Sequence, residues 1–138
     1  MNTPSHQQSL PQLHTASGAH ALDLQLADSF LSRFRGFMLR QALQPDQGLL
    51  ITRCPSVHSL FMRFAIDVIY LDQTGLVTRC VPHLKPWRAS AGRSRLAGHA
   101  TAHALELPAG SIQRLHIETG NRLHHPLFVP LAANARHA

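Results

Sequence analysis

Leu22, Leu24 and Leu26 alternate with Asp23 and Gln25, the period of a strand with one face buried. Phe30, Leu31, Phe34 and Met38 then fall at helical spacing, and Asp28 or Ser29 can cap a short helix running through Arg35. Gly36 is placed to end it, because glycine accepts the positive φ of a helix terminus. The run Gln44-Pro45-Asp46-Gln47-Gly48 is a turn by composition. Three candidate strands follow over 49–53, 57–63 and 66–71. Asp72 to Gly75 predicts a hairpin turn into a strand over 76–81. Pro82 and Pro86 are expected to break that ladder. Residues 88–98, rich in Ser, Ala, Gly and Arg, carry no period and read as a surface loop. A strand is expected over 102–107, a helix from Pro108 to about Leu115, and a last strand interrupted by proline over 122–130.

About seven strands against two short helices, joined by hairpins, predict an α+β, mainly β domain. Its expected form is a compact antiparallel barrel-like sheet. Residues 1–12, polar and proline-containing, read as a disordered lead-in. Residues 13–130 form the expected single domain and 131–138 a flexible tail.

The buried-strand pattern has one discordant member. Asp67 lies among Ala65, Ile66, Val68, Ile69, Tyr70 and Leu71. An ionised carboxylate in such surroundings is costly unless it is paired, hydrogen-bonded or left at the rim. Arg35 and Arg63 are the expected partners, in a structural ion pair. Glu106, between Leu105 and Leu107, points away from both leucines, toward solvent or toward a pocket shared with Asp67. Arginines facing carboxylates would make a polar ligand site of Asp67, Met62, Arg63, Arg35 and Glu106.

Composition narrows the functional classes. Of 138 residues 14% are charged, and 13 basic against 7 acidic side chains leave +6, with 11 histidines that can add charge in acid. A basic surplus attracts anions weakly. Nucleic-acid binding needs more, a concentrated face or stacking aromatics, and aromatics here are 6%. The densest basic stretch is Lys85, Trp87, Arg88, Arg93 and Arg95. It reads either as an anion-binding loop with an indole for stacking or as a solubilising loop with Trp87 pinned to the core. No run approaches the 18 or more apolar residues of a membrane-spanning helix. The first residues lack the apolar region of a secretory signal, so a cytoplasmic location is expected. Two cysteines are too few for a disulfide framework.

Three chemistries have candidate residues. Cys54 and His58 (C-x3-H) with Cys80 and His83 (C-x2-H) supply the inventory of a tetrahedral zinc site. A cysteine in an apolar strand is otherwise a small hydrophobe, so no metal is expected. Nucleophilic catalysis by a cysteine with a histidine and Asp67 lacks any local signature. Paired carboxylates, Asp67 with Asp72 or with Glu106, are better explained by pairing with arginines. No phosphate-cradling glycine loop is present and no cofactor is expected.

Three ordered segments carry a resemblance. They are Arg33-Phe-Arg-Gly36-Phe37-Met38 leading to Asp46-Gln-Gly48, then Phe61-Met62-Arg63-Phe64-Ala65-Ile-Asp67 through Asp72 and Gly75, then Leu105-Glu106-Leu-Pro-Ala-Gly110 with Gly120-Asn121. Together they make the chain resemble the domain of unknown function 192 family of bacteria and archaea, over about 20–125. The family's Gly-Leu-Met stands here as Gly36-Phe37-Met38, and its Asn-Thr as Arg63-Phe64. Its Pro is Ala65 and its Gly-Asp is Gly120-Asn121. The resemblance implies a compact, mainly β domain with short helices and implies no activity.

The resulting expectation is a non-catalytic ligand- or protein-binding accessory domain with a polar site around Asp67. The alternatives are anion or nucleic-acid binding through residues 85–95, and a small enzyme or Cys2His2 metal site. The partner is a small ligand or a protein, with nucleic acid disfavoured.

Overall fold

The structure, a computed structural model, describes residues 11–28, 43–54, 56–58 and 63–128. The helix expected over 28–35, with Arg35 and Gly36, lies outside these residues beyond Asp28, as does Met62.

A five-stranded sheet organises the domain. It contains β3 (Asp23–Asp28), β4 (Gln47–Thr52), β6 (Ile66–Leu71), β7 (Val77–Leu84) and β9 (His103–Pro108), in the order β3-β4-β9-β6-β7. Two further antiparallel pairs accompany it, the hairpin of β1 (Gln12–Thr15) with β2 (Gly18–Ala21), and β5 (Ser56–His58) with β8 (Ala89–Ala91), which are separated in sequence by β6 and β7. One short helix, α1 (Ser111–Arg114), follows β9.

The chain is thus mainly β, but the expected barrel is not formed among the described residues. The sheet is open, with β3 and β7 as its edges, and β3 pairs β4 in parallel. A parallel pair needs a long crossover rather than a hairpin turn, and the sequence between Asp28 and Gln47 is long enough to supply one. Of the strand expected over 122–130, the described residues 122–128 hold only two isolated bridges, His14 with His124 and Leu76 with Arg122. The expected loop 88–98 contains β8.

The sheet buries both faces, which explains why every residue of β6 is buried and why all but Asp67 are apolar or aromatic. Leu24, Leu50, Ile69, Leu71, Leu105 and Leu107 face one layer with Leu13, Leu115, Ile117, Leu123 and Phe128. Leu49, Ile51, Ile66, Val68, Tyr70 and Ala104 face the other, with Cys54, Val57 and Leu84. Tyr70 carries its hydroxyl into that second layer and donates it to the Ser90 carbonyl of β8 at 2.9 Å, so burial of the ring leaves no donor stranded.

The turn between β6 and β7 forms as the sequence predicts. Asp72 Oδ1 accepts the amides of Thr74 and Leu76 at 2.8 and 3.0 Å. Gly75 has φ 94°, and a Cβ there would meet the Leu123 carbonyl at 2.8 Å. Position 75 therefore requires glycine on two counts, conformation and space.

Candidate functional site

Asp67 is fully buried in β6, on the Ile69–Leu107 face of the sheet. Its answer is a defect in the neighbouring strand. Register runs Ile66–Leu84 and then Val68–Val81, so Asp67 alone stands opposite both Pro82 and His83. This is a β-bulge, and an extra residue leaves a ladder amide without its strand partner. Pro82 has no N–H to lose, which is why a proline fits inside β7 and why the strand continues to Leu84. His83 takes φ 51° and donates its N–H to Asp67 Oδ1 at 2.9 Å.

The second carboxylate oxygen serves α1. Gly110 precedes the helix at φ 93° and has no side chain with which to cap it. The Ile112 amide, one of the unpaired donors of a first helical turn, reaches Asp67 Oδ2 at 2.8 Å. One buried carboxylate therefore joins an edge strand to a helix start through two backbone amides. No arginine is needed for this. Arg63 is exposed in the bend before β6 and makes no ion pair with Asp67 among the described residues.

The clamp underlies a cleft of about 460 Å³. Pro82 and His83 of β7 form one wall. Gly110, Ile112 and Gln113 form another, continued by His116, Ile117 and Glu118. The helix ends here in a Schellman turn, with the Ile117 amide on the Ile112 carbonyl at 3.0 Å and the His116 amide on the Gln113 carbonyl at 3.2 Å. Glycine usually fills the left-handed position of such a turn. Here it is His116, φ 53°. Two histidines in left-handed conformations thus line one cleft, at positions where backbone physics favours glycine.

Glu118 is held by Asn121, whose side-chain oxygen accepts the Glu118 amide at 2.9 Å. An amide oxygen performs this as a carboxylate would, so Asn121 keeps a structural role without charge. Cys80 lies beside the cleft, its sulfur 3.9 Å from the Ile117 carbonyl. Burial above all, then the Asp67 and Glu118 charges, push its thiol up to about 11, against a hydrogen bond with Thr119. Cys80 is therefore a thiol, not a nucleophile, at neutral pH.

The other sequence candidates separate. Glu106 pairs in register with Val68 and Leu49, which places it on the opposite face of the sheet from Asp67. Both carboxylates are fully buried, but they share no pocket. Cys54 packs in the second layer and its sulfur hydrogen-bonds the Ser56 carbonyl at 2.7 Å, while Cys80 packs against the first. His58 ends β5, and His83 lines the cleft. The two Cys-His pairs do not converge, and no cluster of three or more ligand-type residues occurs among the described residues.

The basic stretch divides as well. Lys85, Trp87 and Arg88 are exposed in the β7–β8 turn, Trp87 at 59% and φ 63°, so the indole is not pinned to the core. After β8 the chain runs back along β7, where the Arg95 amide meets the Thr78 carbonyl at 2.8 Å. At about 3.3 Å per residue, Arg95 is anchored roughly 20 Å from Leu84 and the turn that follows it. Four cations close in sequence do not make one compact patch.

The wall residues Gln113, His116 and Glu118 carry no sequence signal. Nothing in the order of residues announces that a Schellman turn faces a bulge.

Fold and site together define a mainly β domain, sheet-centred and covered on both faces, with a small cleft against one edge strand. The chain belongs to the DUF192 family, described as "Uncharacterized ACR", whose model matches residues 12–125. It is 36% identical over 109 residues to a UPF0127 protein of Pyrococcus furiosus, covering 74% of this chain and 85% of that protein. Among solved structures it resembles one from Sinorhizobium meliloti named "a putative transcription regulator", with TM-score 0.67 and 27% identity over 83% of this chain and 91% of that one. A protein of unknown function from Novosphingobium aromaticivorans has the same fold, with TM-score 0.66 and 22% identity over 90% and 91%. No catalytic function is evident from these relatives or from the described residues. Among those residues no helix is long and apolar enough to cross a membrane.

Proposed function

We propose that this chain is a non-catalytic binding domain whose ligand, a small polar molecule, occupies the cleft between β7 and α1. One observation carries the reading. His83 and His116, from two separate elements, both hold left-handed backbone and both line the same cleft. Such strain concentrates at ligand sites, where the side chain is worth more than the relaxed backbone. The cleft volume falls in the range of small-molecule sites, and its lining mixes Pro82, Ile112 and Ile117 with a few polar groups, as such sites do. Asp67 acts beneath it as a positioning residue.

The test exploits the backbone. Glycine accepts both conformations, so the double variant His83→Gly, His116→Gly keeps the fold while removing both imidazoles. A fragment set screened by amide chemical shifts is expected to move the resonances of His83, Ile112 and Glu118, and the double variant to lose this response. Fragments that bind the double variant unchanged would sink the proposal.

A second reading has its own observation, the exposure of Trp87 beside Lys85 and Arg88. An aromatic between cations suits an anionic partner, nucleic acid included, in keeping with the regulator name of the Sinorhizobium structure. It predicts retention on heparin that falls steeply with salt and with Trp87→Ala.

A further inference from the structure

The chain carries +6, yet the cleft carries the opposite sign. Of seven acidic side chains two, Asp67 and Glu118, line it, and among the described lining residues there is no lysine or arginine. Counting histidines as neutral at pH 7, the formal charge of the lining is −2. Resting on the cleft reading above, we propose that the ligand is a small organic cation, an aliphatic amine whose ammonium group meets Glu118 and whose carbon chain lies along Pro82, Ile112 and Ile117.

The geometry assigns different tasks to the two acids. Glu118 is exposed at the rim, available for direct contact. Asp67 is fully buried and each of its oxygens already accepts one amide, so it acts through space from below the floor. A carboxylate held in low dielectric projects its charge farther than one surrounded by water. His83, His116 and Gln113 offer ring nitrogens and an amide that can accept from an ammonium N–H. The apolar wall selects an alkyl amine over a hydrated inorganic cation, and the lining lacks the ligand cluster a metal would need.

The test titrates the full chain with 1,4-diaminobutane, 1,4-butanediol and succinate, reading amide shifts at His83, Ile112 and Glu118. The expected result is a response to the diamine alone, weakened by added salt. Glu118→Gln is expected to weaken diamine binding about two- to fivefold, the range of an exposed ion pair, with an unchanged fold. If the diol or the dicarboxylate binds as tightly as the diamine, the cation assignment is overturned while the cleft reading stands. The cation assignment also falls alone if the fragment set reaches the cleft and the diamine does not. If neither reaches it, both readings fall.

Discussion

Replacing Asp67 by asparagine tests the central geometric claim at a single atom. The carboxylate accepts two buried amides, one on each oxygen, from His83 and Ile112. Asparagine keeps one acceptor oxygen and presents an NH2 group to the other amide, so one donor must go unmet. An unsatisfied buried amide costs about 1–3 kcal/mol, and the bond that remains loses its charge assistance, about 1 kcal/mol more. The expected loss is therefore roughly 2–4 kcal/mol, a large part of the 5–15 kcal/mol that holds a typical domain. Asp67→Ala strands both amides and is expected to lose more, about 2–6 kcal/mol before any cavity term. Urea unfolding followed by far-UV circular dichroism measures this. With a slope of about 2 kcal/mol per molar, the asparagine midpoint falls by roughly 1–2 M. Hydrogen exchange adds the signature a generic destabilisation lacks, since in the asparagine variant only one of the two amides loses protection beyond the global change. An asparagine variant within about 0.5 kcal/mol of the parent, or one in which both amides keep their protection, would refute the clamp.

Three further outcomes follow from the same structure. Gly75→Ala places a Cβ 2.8 Å from the Leu123 carbonyl at φ 94°, and thermal unfolding is expected to show a loss of at least about 1–3 kcal/mol. His103 and His125 are buried and accept backbone amides at Nδ1, from Arg53 and Leu127 at 3.1 Å each, and burial holds both below the ordinary 6.5. The folded state thus favours their neutral forms. Their contribution is whole above about pH 6.5 and drains as pH falls toward their folded values, so a urea midpoint flat from pH 8 to 5 would contradict the assignment. Cys80 in the native protein is expected to alkylate slowly at pH 8 and faster only as pH nears 11, read peptide by peptide by mass spectrometry. Reaction at pH 8 as fast as in the urea-unfolded chain would refute it.

The sequence disclosed what depends on neighbours along the chain. The strand opened by Leu22 and Leu24, the run 66–71 and the Asp72–Gly75 turn each appear close to where their patterns place them, but the alternation fails at Leu26, which is 52% exposed while Ala27 is buried. Asp67 was legible as an anomaly because a charge in an apolar run is visible locally. Its partners were not, since backbone amides carry no side-chain letter. Arginines are the acceptor's obvious complement in a string of residues, and the bulge that freed the His83 amide exists only once β6 and β7 are in register. Glu106 shows the same limit. Its direction relative to Leu105 and Leu107 followed from strand alternation, but whether it met Asp67 depended on the pairing of Val68 with Glu106, a fact of register between distant segments. Pro82 looked like a strand breaker because the sequence does not say which strand will be an edge.

The strand order has a consequence for how the molecule comes into being. β9, the last strand of the sheet to be synthesised, occupies its middle, between β4 and β6. While the ribosome is still adding residues before His103, β4 and β6 have no partner for the edges that will pair with β9. Two apolar hydrogen-bonding edges therefore wait in the nascent chain for the same late segment. Assembly of the sheet is in this sense a closing step rather than a progressive one, and the interval before β9 arrives is when the chain is most open to pairing with a second copy of itself or to capture by a chaperone.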